Sequence, residues 1–125
     1  MCGIAGYFGK HQKPDELLAK TLKSLNHRGP DSAHYYKKIN QDYNNIYLLH
    51  ARLNIIDIDD RSNQPFHLGQ YILIFNGAIY NYVEIRNLLI KKGVHFHTSG
   101  DPEVLAQALI EWGMDALDKL EGMWS

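Results

Sequence analysis

The sequence has little of what several large functional classes require. Its 125 residues contain a single cysteine, Cys2, so no internal disulfide can form, which is typical of a reducing compartment such as the cytoplasm. A formal net charge of −1 leaves no basic excess for a nucleic acid partner. No apolar run approaches the roughly 18 residues that span a bilayer, and the first residues lack the features of a signal peptide. These absences predict a cytoplasmic protein that binds neither nucleic acid nor membrane.

The chain does contain enough apolar residues for one α+β domain, because 45% of them are hydrophobic. Apolar patterning predicts strands at residues 4–8, 35–39, 45–49, 71–75, 94–98 and, at the start of a further strand, 122–125. It predicts helices at residues 14–25, 81–93, 101–112 and 117–120. The segment 71–75 is apolar on both faces, which is typical of a central strand. Asn81 and Asp101 are expected to act as helix N-caps.

Cys2 is the first candidate for chemistry. If the initiator Met1 is removed, Cys2 carries a thiol and a free α-amine on one residue. An α-amine has a pKa of about 7.7–8.0, so part of it is unprotonated near neutrality and can accept the thiol proton. One residue then supplies both a nucleophile and its base. The alternative is a small buried apolar residue that happens to stand second.

A charged side chain interrupts an apolar run at Arg52. A buried or half-buried arginine needs a partner, and its planar guanidinium fits a carboxylate best. A salt bridge to Asp57 or Asp59 would supply that carboxylate from within the chain.

Two turns are also candidates for function. Residues 27–31 contain a Gly-Pro bend that carries Arg28 and Asp31, and the residues alone leave a surface loop and a functional loop equally open. Asn76-Gly77 follows the strand 71–75, and a tight hairpin is one interpretation. A helical pattern follows instead of a return strand, so the pair also suits an oxyanion site made of a side-chain amide and a backbone N–H.

Two other kinds of site are not expected. Gly3, Gly6 and Gly9 lack the spacing of a phosphate-binding loop and a following Lys-Ser/Thr pair. His95 and His97 would lie on one face of a strand and could chelate a metal, but the sequence offers no third ligand. We therefore predict no metal site.

Six ordered motifs cover essentially the whole chain. They are Cys2-Gly3-Ile4, His27-Arg28-Gly29-Pro30-Asp31, His50-Ala51-Arg52-Leu53-Asn54-Ile55-Ile56-Asp57, Gln64-Pro65, Phe75-Asn76-Gly77 with Ile79-Tyr80-Asn81-Tyr82, and Gly100-Asp101-Pro102-Glu103-Val104-Leu105. Together they resemble the class II glutamine amidotransferase domain, an N-terminal nucleophile hydrolase, and within it the asparagine synthetase branch. The resemblance implies a four-layer αββα sandwich of two antiparallel sheets, incomplete at the C-terminus.

The resemblance also implies roles for individual residues. Cys2 attacks the side-chain amide of glutamine, and Asn76 with the Gly77 N–H stabilises the oxyanion. Arg52 holds the substrate α-carboxylate and Asp101 its α-ammonium. The implied substrate-binding set is Arg52, Leu53, Asn54, Ile55, Ile56, Asn76, Gly77, Ala78 and Asp101. The family normally has glutamate where this chain has Ala78, and that glutamate would help bind the ammonium.

The resemblance further implies that residues 2–125 are the N-terminal portion of the amidotransferase domain. A synthetase domain that uses ATP and magnesium would receive the ammonia, and this chain does not contain it. No cofactor is expected in the chain itself. The implied acceptor is aspartate, while another carboxylate acceptor or a non-catalytic truncated relic stays open, as does a homodimer.

Overall fold

A computed structural model describes residues 2–41, 44–55 and 59–125. Its strands are β1 (Gly3–Gly9), β2 (Ser32–Lys38), β3 (Asn45–Arg52), β4 (Phe66–Leu68), β5 (Tyr71–Leu73), β6 (Gly77–Ile79) and β7 (Gly122–Trp124). Its helices are α1 (Asp15–Leu25), α2 (Tyr82–Lys91) and α3 (Asp101–Trp112), with 3₁₀ segments at Asp60–Ser62 and Gly113–Lys119. This combination confirms the predicted α+β class.

All sheets in the described part of the chain are antiparallel. The largest has the order β1-β3-β2, and the others are the pairs β4-β5 and β6-β7. Alternate side chains of a strand face opposite sides, so the central strand β3 serves two layers. Tyr47 and Leu49 are buried with Leu18 of α1, while His50 and Arg52 point to the opposite side.

A second core lies among the helices. It is formed by Phe75, Ile79, Ile85, Leu89, Val104, Leu105, Ala108, Ala116 and Leu120. These residues pack α2 and α3 together and bury one side of β6. The segment from Phe75 to Ile79 therefore lies between the helical core and the face of β3 that carries His50.

Two predicted strands differ from the structure. The segment 71–75 is a strand only from Tyr71 to Leu73 and pairs in a short hairpin with β4. Tyr71 is 50% exposed, so the segment is not buried on both faces and is not central. Residues 94–98 form no strand, because the carboxylate of Glu103 accepts the backbone N–H groups that a neighbouring strand would otherwise bind.

Asn81 occupies the N-cap position of α2 as predicted but makes no capping hydrogen bond with its side chain, and Asp101 is not an N-cap. The Asn81 side chain donates to the Lys119 carbonyl and accepts from the Glu121 N–H, so it ties α2 to the end of the chain instead of capping it. Gly100 occupies the N-cap of α3, and Asp101 is the first helical residue. Its carboxylate is engaged elsewhere, as described below.

Glu103 is a buried carboxylate that holds the segment before α3 by hydrogen bonds. Its side chain is fully buried and accepts from the His97 N–H, the Thr98 N–H and the Thr98 hydroxyl at 2.6 to 2.9 Å. Burial raises the pKa of Glu103. The hydrogen bonds together lower that pKa by more than burial raises it, so it lies below its ordinary value.

We expect Glu103→Gln to lower the free energy of unfolding by about 2–3 kcal/mol, because an amide cannot accept at both terminal atoms. Urea denaturation measures this. Glu111→Gln is the matched control on the same helix, since Glu111 only pairs with Lys92 at the surface. Equal effects of the two substitutions would contradict the account.

Candidate functional site

Antiparallel pairing brings the start of β1 to the end of β3. Gly3 lies opposite Ala51, so Cys2 comes next to the residues that follow Arg52. The Leu53 N–H donates to the Cys2 sulfur at 3.4 Å, and the same sulfur lies 3.8 Å from the Leu53 carbonyl oxygen. The thiol is partly buried and lies against polar backbone.

The turn 27–31 supports this junction, so it is more than a surface loop. Arg28 Nε donates to the Cys2 carbonyl at 3.0 Å, and Asp31 Oδ2 accepts from the Asn54 N–H at 2.7 Å. Gly29 is buried beneath the turn, and a Cβ there would overlap the backbone of β3 at Ala51. The turn therefore holds both strand ends in place.

Arg52 is buried at the end of β3. Its Nη1 donates to the Asn63 side-chain oxygen at 2.7 Å and to the Asp59 backbone carbonyl at 3.1 Å. The Asp59 carboxylate accepts from the Arg61 N–H, at the start of the 3₁₀ turn. Of the two predicted partners, Asp57 lies outside the described residues and Asp59 contributes its carbonyl.

The pairing of β6 with β7 determines where the Gly77 N–H points. Asn76 and Ser125 exchange both backbone hydrogen bonds at 2.9 Å. Bonded and non-bonded residues alternate in an antiparallel pair, so the N–H groups of Gly77 and Ile79 point away from β7. Ile79 donates to Asp101 Oδ2 at 3.1 Å, which agrees with this direction. Asn76-Gly77 thus enters a strand, and the tight-hairpin interpretation is wrong.

Asp101 is a buried carboxylate beside that strand, only 6% exposed. Burial raises its pKa above the ordinary value, while hydrogen bonds from the Ile79 N–H and its own N–H, and the charge of Arg52, act in the opposite direction. A buried anion of this kind gains from an added cation, because a positive neighbour stabilises its charged form.

The structure gathers most of the predicted site residues around one cavity of about 90 Å³. Its wall is formed by Cys2, Arg52, Leu53, Ile55, Gln64, Phe75, Gly77, Ala78, Asp101 and Pro102. Asn54 and Asn76 adjoin this wall without lining it. Ile56 lies outside the described residues. Sequence reasoning missed Gln64, Phe75 and Pro102 as wall residues, although all three stand in motifs that it had singled out.

Two asparagines beside the cavity have buried side-chain oxygens. Within the described ranges, neither Asn54 Oδ1 nor Asn76 Oδ1 has a hydrogen-bond partner. Unsatisfied buried polar atoms are rare and cost free energy, so they commonly mark a functional position. An orphaned oxygen on Asn76 also means that other groups must fix its orientation.

Two further features concern metal ligands and membrane-spanning helices. Over residues 2–41, 44–55 and 59–125, no three His, Cys, Asp or Glu side chains gather to hold a metal ion. His97 instead contacts the Glu103 carboxylate at 3.3 Å. None of the described helices is long and apolar enough to cross a membrane.

The chain is similar to known proteins over its whole length. Residues 1–125 match a family model described as a glutamine amidotransferase domain. The chain is 36% identical over 132 residues to asparagine synthetase [glutamine-hydrolyzing] 1 of Bacillus subtilis (strain 168), with all of this chain and 20% of that protein covered. It is 36% identical over 129 residues to asparagine synthetase [glutamine-hydrolyzing] 1 of Arabidopsis thaliana, with all of this chain and 21% of that protein covered. The chain thus spans about a fifth of the length of these relatives.

His50 is a buried histidine whose protonation makes the stability of the fold depend on pH. It is 1% exposed, and its Nε2 lies 3.1 Å from the Phe75 carbonyl oxygen. A carbonyl only accepts, so Nε2 carries the proton and Nδ1 is bare in the neutral ring. Burial lowers the pKa of His50 from 6.5 to about 4, despite the hydrogen bond to Phe75, and the charge of Arg52 lowers it further.

The unfolded chain therefore binds the extra proton first as the pH falls from 6.5. We expect the contribution of neutral His50 to stability to be complete above pH 6.5 and to disappear as the pH approaches 4. The loss amounts to about 3 kcal/mol. His50→Gln, which does not titrate, should show a correspondingly smaller loss in urea denaturation across this window. If the stability of the parent protein and of His50→Gln depended on pH in the same way, the assigned role of His50 would be wrong.

Proposed function

From the premise that the chain belongs to the glutamine amidotransferase family, we propose that it hydrolyses glutamine to glutamate and ammonia. The observation that carries the proposal is the convergence on one cavity of a thiol, a backbone N–H, a buried arginine and a buried carboxylate. A nucleophile, an oxyanion donor and two groups of opposite charge are what the hydrolysis of an amino-acid amide requires.

The nucleophile in this proposal is Cys2 after removal of Met1. Its freed α-amine takes the thiol proton, and the sulfur attacks the carbonyl carbon of the glutamine side chain. The tetrahedral intermediate collapses as the amine returns the proton to the leaving nitrogen, which departs as ammonia. Water then cleaves the thioester, with the same amine as base, and releases glutamate. The turn residue Arg28 supports the reaction by holding the Cys2 carbonyl.

The oxyanion of each tetrahedral intermediate would be held by Asn76 and Gly77. The direction of the Gly77 N–H, away from β7, supports this role. Removing one such donor typically costs about 10²–10³ in rate. The Asn76 side chain would supply the second donor.

The charged ends of glutamine would bind on either side of the thiol. Arg52 would hold the α-carboxylate with help from the backbone of residues 53–56, and the guanidinium geometry suits that group. Asp101 would hold the α-ammonium, which fits a buried carboxylate that lacks a full countercharge. Both residues line the same cavity as Cys2.

The finer parts of the assignment follow from the relatives. We propose that the fold is the four-layer sandwich of an N-terminal nucleophile hydrolase. Helix α1, the β1-β3-β2 sheet, the smaller strands and the pair α2 and α3 lie in an order that supports it. We also propose that residues 2–125 are the glutaminase portion of an asparagine-synthetase-like protein, whose synthetase portion uses ATP and magnesium to amidate aspartate. That portion, and not this chain, would select the acceptor.

One observation favours a second candidate. The family glutamate is replaced by Ala78, which lines the cavity and leaves Asp101 to balance the ammonium charge alone. A chain that binds glutamine weakly, or that has lost turnover, would carry such a change. A glutamine-mimicking electrophile, diazo-oxo-norleucine, distinguishes the two. One adduct on an N-terminal Cys2 in the intact mass supports the enzyme, whereas no adduct on folded, Met1-processed protein supports the relic.

We expect Cys2→Ala to abolish glutamine-dependent ammonia release, because no other thiol exists in the chain. The melting temperature should stay close to that of the parent protein, since the Cys2 side chain makes only weak sulfur contacts with Leu53. A glutamate dehydrogenase-coupled assay and thermal unfolding measure the two properties. Residual turnover above background would refute the assignment of Cys2.

We expect Ala78→Glu to lower KM for glutamine by about tenfold, the effect of roughly 1.4 kcal/mol from a second carboxylate near the ammonium. Ala78→Gln is the matched control, because it adds the same bulk without charge. Ala19→Glu, on the exposed side of α1, controls for net charge. Equal KM values for the Glu and Gln variants at position 78 would show that charge does not act there.

A further inference from the structure

The backbone N–H and carbonyl of Phe75 bond to side chains, whereas in a β-sheet they would bond to a neighbouring strand. Phe75 lies between β5, which ends at Leu73, and β6, which begins at Gly77. The Gln64 side-chain oxygen accepts from the Phe75 N–H at 2.5 Å, and His50 Nε2 donates to the Phe75 carbonyl at 3.1 Å. Both backbone groups of one residue are therefore satisfied by two residues distant in sequence.

The two holding side chains are themselves fixed. Gln64 is 4% exposed and His50 is 1% exposed, and His50 stands on the central strand β3. The Phe75 side chain, 3% exposed, is anchored separately in the helical core. Phe75 is thus held on three sides, although no strand begins until Gly77.

The next two residues are the proposed oxyanion donors. Asn76 Oδ1 has no hydrogen-bond partner within the described residues, so its own side-chain oxygen does not fix its orientation. The Asn76 N–H and carbonyl both bond to the backbone of Ser125, so β7 holds this residue from one side of the chain. The pairing with Ser125 sets the direction of the Gly77 N–H, and the bonds to Phe75 fix the chain that enters this pair. The placement of Asn76 and Gly77 beside the cavity therefore depends on both.

We propose that Gln64 and His50 are positioning residues that orient Asn76 and Gly77 for oxyanion binding by holding the N–H and carbonyl of Phe75. This inference rests on the proposed function. Neither side chain needs to touch the reacting atoms. Their effect passes through the two peptide units that flank Phe75. A displacement of about 1 Å in a catalytic donor costs up to about 10²-fold in rate.

A positioning role predicts a specific kinetic signature. Oxyanion donors act on charge that develops in the transition state, so disturbing them lowers kcat and leaves KM nearly unchanged. The ends of glutamine are assigned to Arg52 and Asp101, which neither bond involves. A merely structural role would lower stability without changing kcat of the folded protein.

The test uses three variants in the intact protein. Gln64→Met removes the acceptor at nearly constant volume, His50→Leu removes the donor, and His50→Gln keeps a donor of similar reach. Gln70→Met and His34→Gln are the matched controls, because both parent residues are exposed. His34 is also the direct neighbour of His50 across the β2–β3 pair.

We expect Gln64→Met and His50→Leu to lower kcat about 10- to 100-fold with KM changed less than about threefold. His50→Gln should recover most of kcat, and both controls should match the parent protein. Unchanged kcat in folded Gln64→Met and His50→Leu, or an effect confined to KM, would overturn the inference. So would a His50→Gln variant as slow as His50→Leu.

Amide hydrogen exchange separates this inference from the proposed function. Gln64→Met should accelerate exchange at the Phe75 N–H by about tenfold or more and shift the Gly77 amide resonance, while Gln70→Met should do neither. If the parent protein hydrolyses no glutamine, the proposed function fails, and these amide measurements still decide whether Gln64 holds the segment. Unchanged exchange at Phe75 would overturn the inference in either case.

Discussion

The antiparallel pairing of β1 with β3 is the constraint on which the site depends. The register that sets Gly3 opposite Ala51 brings Cys2 against the backbone of Leu53. The same strand carries His50 and Arg52 on the face turned toward the cavity. A slip of one residue would exchange the two faces of β3. The Cys2 contact with Leu53, the guanidinium of Arg52 at the cavity and the support of Phe75 by His50 would then be lost together.

Two buried charged side chains lie at the cavity. Arg52 and Asp101 are both almost inaccessible and both line the cavity. Burying charged groups costs free energy unless each has partners. Arg52 has the Asn63 side chain and the Asp59 carbonyl, and Asp101 has the Ile79 N–H. These partners hold the two groups in place beside the cavity.

Sequence patterning predicted the elements whose partners are local. The helix 14–25 and the strand that becomes β3 agree with the structure, because Leu18, Tyr47 and Leu49 are buried as expected. The final strand also forms, although Met123 and Trp124 are exposed. The pattern failed at 94–98, where a buried Glu103 replaces a neighbouring strand. It failed also at Asp101, whose carboxylate reaches another strand instead of capping its own helix. The Glu103 contacts span only five or six residues and the Asp101 contact spans 22, and neither follows from the periodicity of apolar residues.

The site could be predicted only in part, because the sequence shows unusual local features but not contacts between distant residues. The thiol, the arginine and the Asn-Gly pair could be identified because each is unusual in its local context, and the structure brings Cys2, Arg52 and Gly77 to one cavity. The support by Arg28, Gln64 and His50 could not be identified, because it consists of bonds to the backbone of residues distant in sequence.

The most direct test of the central claim is acid quenching of the protein during turnover of glutamine, followed by mass analysis of its N-terminal peptide. The account predicts a glutamyl group on Cys2, in a chain that begins at Cys2, and its removal by hydroxylamine as expected for a thioester. Ammonia release without any acylated Cys2, or from protein that still carries Met1, would contradict it.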